Sequence, residues 1–388
     1  MNAMARACNI DDLAALARRR LPLGLYEYLD RGAEDEITLR ENGDSIKRVL
    51  LRQRVGTDVS QRDISTRLFG IRLSMPVGIA VTGLAGLLAF EGEHSLARAA
   101  ARAGIPFTLG TSNFASVAEI QAICGDLLWR QVYPAKDRDV LRHQVSTARR
   151  AGVKVLIVTM DSPVLGNREY LRRGGWMPGA LSMRAKLQIL KSPRYCFGTL
   201  LRYALRGGFP EMAHMPAGKT RFLDGTFAQT ADDFTWDEVR TLRQQWKDVL
   251  VLKGLSTAED ARIAADCGVD GIIVSNHGGR SLDGCVPSMG ALAAIVDAVG
   301  TKVTVLVDGG FKRGADVLKA LAIGASGVMV GRATLYGLAA GGEAGVDRAL
   351  QIFSEEIHRA LALIGCRHLA ELGREYVTMS QGYAAWPG

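Results

Sequence analysis

Residues 271–283 read Gly-Ile-Ile-Val-Ser-Asn-His-Gly-Gly-Arg-Ser-Leu-Asp. The apolar run Ile272 to Val274 reads as a short strand covered on both faces, as strands of a parallel sheet are. It stops at Ser275, and the residues on to Asp283 are too polar and glycine-rich to continue it. A strand that ends on an imidazole and, three residues later, a guanidinium has the layout of an active site. His277 can move a proton near neutral pH, Arg280 is a fixed cation shaped for a carboxylate, and Gly278 and Gly279 would let backbone and ligand come close. Taken alone, an ordinary surface loop would read the same way.

Working outward, seven more runs of this kind are each bounded by turn signals: Val77 to Val81, Phe107 to Leu109, Leu127 to Tyr133, Val155 to Val158, Val249 to Lys253, Thr304 to Val307 and Gly327 to Val330. Between most of them lies one helix with Ala/Leu periodicity: Glu93 to Ala103, Val140 to Ala151, Thr257 to Cys267, Met289 to Val299 and Gly314 to Ile323. Strand and helix in alternation imply a parallel sheet, and eight repeats over about 250 residues match a closed TIM (β/α)8 barrel better than an open doubly wound sheet. Helices before the first strand, including Leu25 to Leu29, and a long insertion between the fourth strand and a helix Trp236 to Trp246 would decorate it. The whole chain, 1–388, reads as one domain.

A barrel gathers its chemistry at the carboxyl ends of its strands, so polar and glycine residues should collect there. They do: Thr82 and Gly83 beside Val81, Gly110 and Thr111, Gln131 and Tyr133, Thr159 and Asp161, Lys253, Ser275 and His277, Asp308 with Gly309 and Gly310, and Gly331 with Arg332. The last two strand ends fall where barrel enzymes hold a phosphate on backbone amides, with Arg332 or Lys312 to neutralise it. The implied ligand carries phosphate.

Composition removes other classes. At 388 residues and 48% apolar content the chain can bury a large core. Six cysteines without a Cys-x-x-Cys pair signal neither a disulfide framework nor a zinc site, and no metal is expected. Met1 to Asp11 lacks the apolar core of a signal peptide, and no apolar stretch approaches the ~18 residues of a spanning helix. There is no Gly-x-Gly-x-x-Gly and no His-Glu-x-x-His, and the Gly-Lys-Thr at 218–220 has Ala213 where a P-loop needs its first glycine.

Ser-Asn-His-Gly-Gly-Arg at 275–280, with Val-Leu-Lys-Gly at 251–254, Val-Asp-Gly-Gly at 307–310 and Val-Gly-Arg-Ala at 330–333, resembles the FMN-dependent L-2-hydroxy acid dehydrogenase and oxidase family. The likeness runs from Tyr26-Glu27-Tyr28 to the closing helix around Leu363, and looks closest to the membrane-associated mandelate and lactate dehydrogenases. It implies FMN as cofactor and a mandelate- or lactate-like 2-hydroxy acid as substrate, oxidised to the 2-oxo acid. His277 becomes the general base with Asp161 stabilising the imidazolium; Arg280, Arg168 and Tyr28 would hold the substrate carboxylate, and Tyr133 its hydroxyl. Lys253 would stabilise the anionic reduced flavin, Thr82, Gln131, Thr159 and Ser275 would bond the ring and ribityl groups, and Asp308 to Lys312 with Gly331 and Arg332 would take ribityl and phosphate. Three positions depart from the family pattern: Ser281 for Gln, Lys312 for Arg and Gly110 for Ser. Gly83 and Ser112 are smaller than the residues oxidases carry, which favours a dehydrogenase with a roomy pocket. An oxygen-using oxidase, or a barrel that binds FMN or phosphate without turnover, are the alternatives.

Residues 172–210 hold eight Lys or Arg and no Asp or Glu, equal to the whole-chain net charge of +8. Leu181, Met183, Leu187, Ile189, Leu190, Phe197, Leu200, Leu201, Tyr203 and Leu205 are interleaved with these cations, the mixture expected of a segment lying on an anionic membrane surface. The expectation is an enzyme peripheral on the inner face of the cell membrane, homo-oligomeric, passing electrons to a quinone or other acceptor. A lid over the site is the alternative; nucleic-acid binding is not supported, because the charge is confined to one insertion without a recognition motif.

Overall fold

The alternation of strand and helix closes into a ring. In the structure, a computed structural model describing residues 4–177, 180–208, 211–213 and 230–380, eight parallel strands form one barrel. They are β1 Val77–Thr82, β2 Phe107–Leu109, β3 Leu128–Val132, β4 Val155–Thr159, β5 Val249–Leu255, β6 Gly271–Val274, β7 Thr304–Asp308 and β8 Gly327–Val330. Closure is made where β8 pairs with β1 (Val328 opposite Val77), and β4 pairs with β5 across the insertion (Val155 opposite Val249). The strand ends differ from the sequence reading by one or two residues. Tyr133 lies just beyond β3, and β5 runs on to Leu255 through a register shift at Gly254. Gly254 has φ 101°, and a Cβ there would stand 2.5 Å from that of Asp161. The bulge therefore lets Asp161 approach the end of β5.

Strand residues alternate between two faces. Ala80, Trp129, Val155, Ile157, Val251, Ile273, Leu306 and Met329 fill the barrel interior, together with Leu68 and Leu73. The latter two belong to a hairpin, Thr66–Leu68 with Ile71–Leu73, that plugs the amino-terminal mouth. Its turn residue Phe69 packs edge-on against Trp129 with ring centroids 5.6 Å apart. Outward-facing strand residues pack under the helices in a second, larger apolar layer.

Three helices precede the barrel: α1 Ile10–Arg20, α2 Leu23–Asp30 and α3 Ile37–Arg48. Asn9 caps α1 by accepting from the Asp12 amide, and α2 is longer than its apolar core Leu25 to Leu29 announces. Residue Asn42 of α3 is tied to Asn276 by reciprocal amide hydrogen bonds of 2.9 and 2.8 Å, which docks the helix against the loop after β6.

The insertion holds a short antiparallel pair, Trp176–Met177 with Ala180–Leu181, the helix Met183–Leu190 and a helical run over 193–205 that passes through one π turn. Pro178, Gly179, Phe209 and Pro210 of the predicted segment, and the Gly-Lys-Thr at 218–220, lie outside the described residues. Ala185, Tyr195, Thr199 and Tyr203 turn inward, while Met183, Leu187, Leu190, Phe197, Leu201 and Leu205 are exposed. Tyr203 is thus not part of the interleaved outer face expected of it: its hydroxyl donates to the Gly86 carbonyl and accepts from the Glu91 amide. None of the described helices is long and apolar enough to cross a membrane.

Candidate active site

One pleat further along each strand, the same alternation brings one more position to the inner carboxyl rim. These positions are Thr82, Gly110, Gln131, Thr159, Lys253, Ser275, Asp308 and Gly331, one per strand, and each was named from the sequence. The polar members bond to one another: Gln131 Nε2 donates to Thr159 Oγ1 (2.9 Å) and Lys253 Nζ to Ser275 Oγ (2.7 Å). Lys253 is 4% exposed and lies 3.3 Å from Asp308 and 3.8 Å from Asp161. Burial opposes its charge, but these two carboxylates outweigh it and raise its pKa. Asp308 Oδ1 is buried without a hydrogen-bond partner among the described residues. The ring therefore offers a buried cation, an amide, hydroxyls and a free carboxylate oxygen, a mixed set suited to a polar-edged aromatic cofactor.

Above the ring stand the groups expected to handle substrate. The Asp161 carboxylate accepts from His277 Nδ1 at 2.8 Å, which fixes the imidazole with Nε2 turned to Tyr133, 3.3 Å from its hydroxyl. Burial would raise the Asp161 pKa, yet the charges of His277 and Lys253, with hydrogen bonds from His277 and Ser162, overcome it and hold the acid at about 2. Burial, with Asp161 adding to it, pushes the Tyr133 phenol up to about 12, so it remains a donor. His277 itself sits at φ 58°, a left-handed conformation costly for a side chain of this size and found where surrounding structure enforces it. Its amide donates to Ser275 Oγ at 3.1 Å, so the residue that bonds Lys253 also fixes the turn.

Arg280 donates to the carbonyls of Tyr28 (2.7 Å) and Arg31 (2.9 Å), and its guanidinium lies over the Tyr28 ring, 5.0 Å from the centroid. The Tyr28 hydroxyl is 3.7 Å from where a Cβ on Gly83 would stand, which brings α2 to the end of β1. Arg168 donates weakly to the Arg280 carbonyl (3.4 Å), and burial, then Arg280, lower its pKa. No carboxylate among the described residues pairs with Arg168 or Arg280. Two adjacent guanidiniums without a counter-ion make a site for a carboxylate.

Other expected residues are engaged with the chain itself. Lys312 pairs with Asp11 of the amino-terminal segment (2.8 Å) and does not join the cluster. Arg332 gives its donors to the carbonyls of Leu29, Gly278 and Arg31. Gly278 and Gly279 make room for the chain itself: a Cβ on Gly279 would meet the Leu39 amide at 2.7 Å, and one on Gly278 the Arg332 guanidinium at 2.8 Å. Gly309 and Gly310 likewise face Asn42, and Gly110 packs beside Val81.

Ser162 went unnoticed in the sequence although it follows Asp161 directly. Its hydroxyl reaches Asp161 Oδ1 (3.2 Å), His277 Nδ1 (3.2 Å) and Ser281 Oγ (2.8 Å). Ser281 thus has a partner suited to its short side chain.

A closed barrel whose carboxyl rim carries a buried lysine, a His–Asp pair and twin arginines defines an oxidoreductase of the flavin-binding barrel class. A family model described as FMN-dependent dehydrogenase matches residues 17–379, and the chain belongs to that family. It is 41% identical over 363 residues to an L-lactate dehydrogenase of Caulobacter vibrioides (strain NA1000 / CB15N), covering 93% of this chain and 95% of the relative. An L-lactate dehydrogenase of Azorhizobium caulinodans is 40% identical over 94% of this chain and 97% of its own. Among solved structures, the monotopic membrane protein (S)-mandelate dehydrogenase superposes with a TM-score of 0.91 at 38% identity, over 97% of this chain and all of that one. The chain is an FMN-dependent 2-hydroxy acid dehydrogenase in fold and family.

Proposed function

We propose that the enzyme oxidises a mandelate- or lactate-like L-2-hydroxy acid at the rim described above and passes the electrons to a membrane quinone. The observation that carries the substrate class is the pair Arg168 and Arg280, without a carboxylate partner among the described residues, beside a His–Asp pair whose imidazole offers Nε2. A 2-hydroxy acid has the matching groups: a carboxylate for the two guanidiniums and, on the adjacent carbon, a hydroxyl for Tyr133 and His277. His277 Nε2 takes the hydroxyl proton, and Asp161 stabilises the imidazolium that results. Tyr133 and Tyr28 orient the substrate. When bound, FMN would supply the acceptor for the two electrons and the hydrogen that leave the substrate carbon. Lys253 would sit at its carbonyl edge and Gln131, Thr159, Thr82 and Ser275 around the ring, with the free oxygen of Asp308 accepting from a ribityl hydroxyl. Gly331 and the Arg332 segment would take the phosphate. Gly83 and Ser112, both small, lie beside the Tyr28 hydroxyl, which supports a substrate with a bulky substituent there.

Quinone as acceptor, and attachment to an anionic membrane surface, are supported by the outer face of the insertion. Phe197 and Leu205 are 69% and 78% exposed there, in a segment, 172–210, that carries eight cations. Solitary exposed apolar residues are ordinary, but a row on one helical face is not. A homo-oligomer is part of the same reading.

The test is an anaerobic titration of purified protein with mandelate and lactate, followed by oxygen or a quinone. Bleaching of a yellow protein, restored by quinone and not by oxygen, is the expected result. A colourless protein unaffected by added FMN would overturn the reading. Deleting 179–210 should release the enzyme from membranes, and a deletion variant that still sediments with them would exclude the insertion as anchor.

A further inference from the structure

Away from the catalytic cluster, a cavity of about 400 Å³ opens where five parts of the chain meet. Its walls come from the end of α1 (Arg20), the turn Ala89–Glu91, the barrel helix Gly92–Arg102, the helical run 193–205 of the insertion and the turn Gly341–Ala344. Three arginines, Arg20, Arg98 and Arg202, line it against two carboxylates, Glu91 and Glu343.

Both carboxylates are already engaged. Glu343 binds Arg98 and Arg102, each at 2.6 Å, and Glu91 pairs with Arg206. Arg20 and Arg202 have no acceptor among the described residues. The Arg202 guanidinium is held over the Phe90 ring, 4.0 Å from its centroid. Stacking of this kind occupies the face of the guanidinium and leaves its in-plane N–H donors for a ligand. Arg20 reaches under the insertion, its Nη2 3.0 Å from where a Cβ on Gly198 would stand. Burial, then Arg194 and Arg202, lower the Arg20 pKa, the mark of a cation held among cations.

We propose that this cavity binds a phosphate group through Arg20 and Arg202. A phosphate offers oxygens in several directions, so it can join guanidiniums from two walls, and the volume admits a phosphate with a substituent. The same helical run that turns Gly198 and Arg202 to the cavity exposes Phe197, Leu201 and Leu205 outside. An anionic phospholipid headgroup would seat its phosphate in the cavity while its chains follow that apolar face; a soluble phosphate ester has the same recognised group. The lipid form rests on the membrane-surface reading, whereas the phosphate site does not.

Holoenzyme is compared as wild type, R20Q/R202Q, and R184Q/K186Q, whose exposed cations lie on the insertion but outside the cavity and which removes the same charge. In one arm, sedimentation with vesicles of phosphatidylglycerol and phosphatidylcholine is measured; in the other, thermal stability with added inorganic phosphate or pyrophosphate. R20Q/R202Q should lose at least about tenfold more vesicle affinity than R184Q/K186Q, as expected for charge-assisted hydrogen bonds over diffuse attraction. Phosphate should raise the Tm of wild type and R184Q/K186Q only. Phosphate protection without a vesicle difference assigns the cavity to a soluble ligand. Equal vesicle losses together with no phosphate effect overturn the proposal. Failure of all three proteins to bind vesicles sinks the membrane reading, and the phosphate arm still decides the cavity. Turnover with a soluble acceptor, unchanged in each variant, reports intact folding; if the double variant does not fold, R202Q alone carries both arms.

Discussion

His277 gives one nitrogen to Asp161 and keeps the other for Tyr133 and substrate, so its removal should strike the chemical step. His277→Gln is expected to lower kcat by about 10²–10⁴ with FMN content retained, as loss of a general base does; stopped-flow reduction rates and the flavin spectrum check it. Asp161 adds a pH dependence whose sign follows from its lowered pKa of about 2. An unfolded aspartate titrates near ~3.9, so the stabilisation from the ionised form is complete above that value and is lost as pH falls towards 2. The stability gap between wild type and Asp161→Asn, from urea unfolding at a series of pH values, should stay constant above pH ~4 and narrow below it. At this scale the sequence was informative because strand-end chemistry is local: His277, Asp161 and Lys253 each lie within three residues of an apolar run. Ser162 and the Asn42–Asn276 pair were not legible, because their importance comes from partners 115 to 234 residues away. The Lys312–Asp11 pair was not legible for the same reason, since its two members lie 301 residues apart.

Among the elements, the strands were easiest to read. Burial on both faces writes continuous apolar runs, and their ends shift only where a bulge, as at Gly254, extends the pairing. The insertion was legible in composition but not in orientation. Charge and apolar content along 172–210 announced an amphipathic segment, yet which side Tyr203 takes depends on Gly86 and Glu91 of another element. Its outer face carries a prediction of its own. Each large apolar side chain transferred from water contributes about 1.5–3 kcal/mol. Replacing Phe197, Leu201 and Leu205 together with Gln should therefore shift the enzyme from the membrane pellet to the supernatant while leaving turnover with a soluble acceptor unchanged. A pellet fraction equal to wild type would count against that face as the contact surface. The α2 helix makes the converse case. Short and without a side-chain cap, it still supplies, from Tyr28 and from Arg31 just past its end, the carbonyls that hold Arg280, so it belongs to the site as much as any strand does.

On the scale of the molecule, the barrel is stabilised from its interior. Trp129 is fully buried between Phe69 of the hairpin and the apolar layer beneath Lys253. Trp129→Ala should cost about 3–5 kcal/mol by denaturant unfolding, the range for deleting a buried indole. A much smaller loss would mean that the hairpin collapses into the space. The filled barrel interior also governs traffic. With that core packed and the hairpin over the amino-terminal mouth, the described residues leave one approach to the site, the rim from which the insertion springs. Substrate must enter, and product must leave, by the same opening, and an electron acceptor that approaches the ring has to take its turn there. Such one-door architecture predicts queueing: acid and acceptor visit alternately, and a high concentration of either obstructs the other.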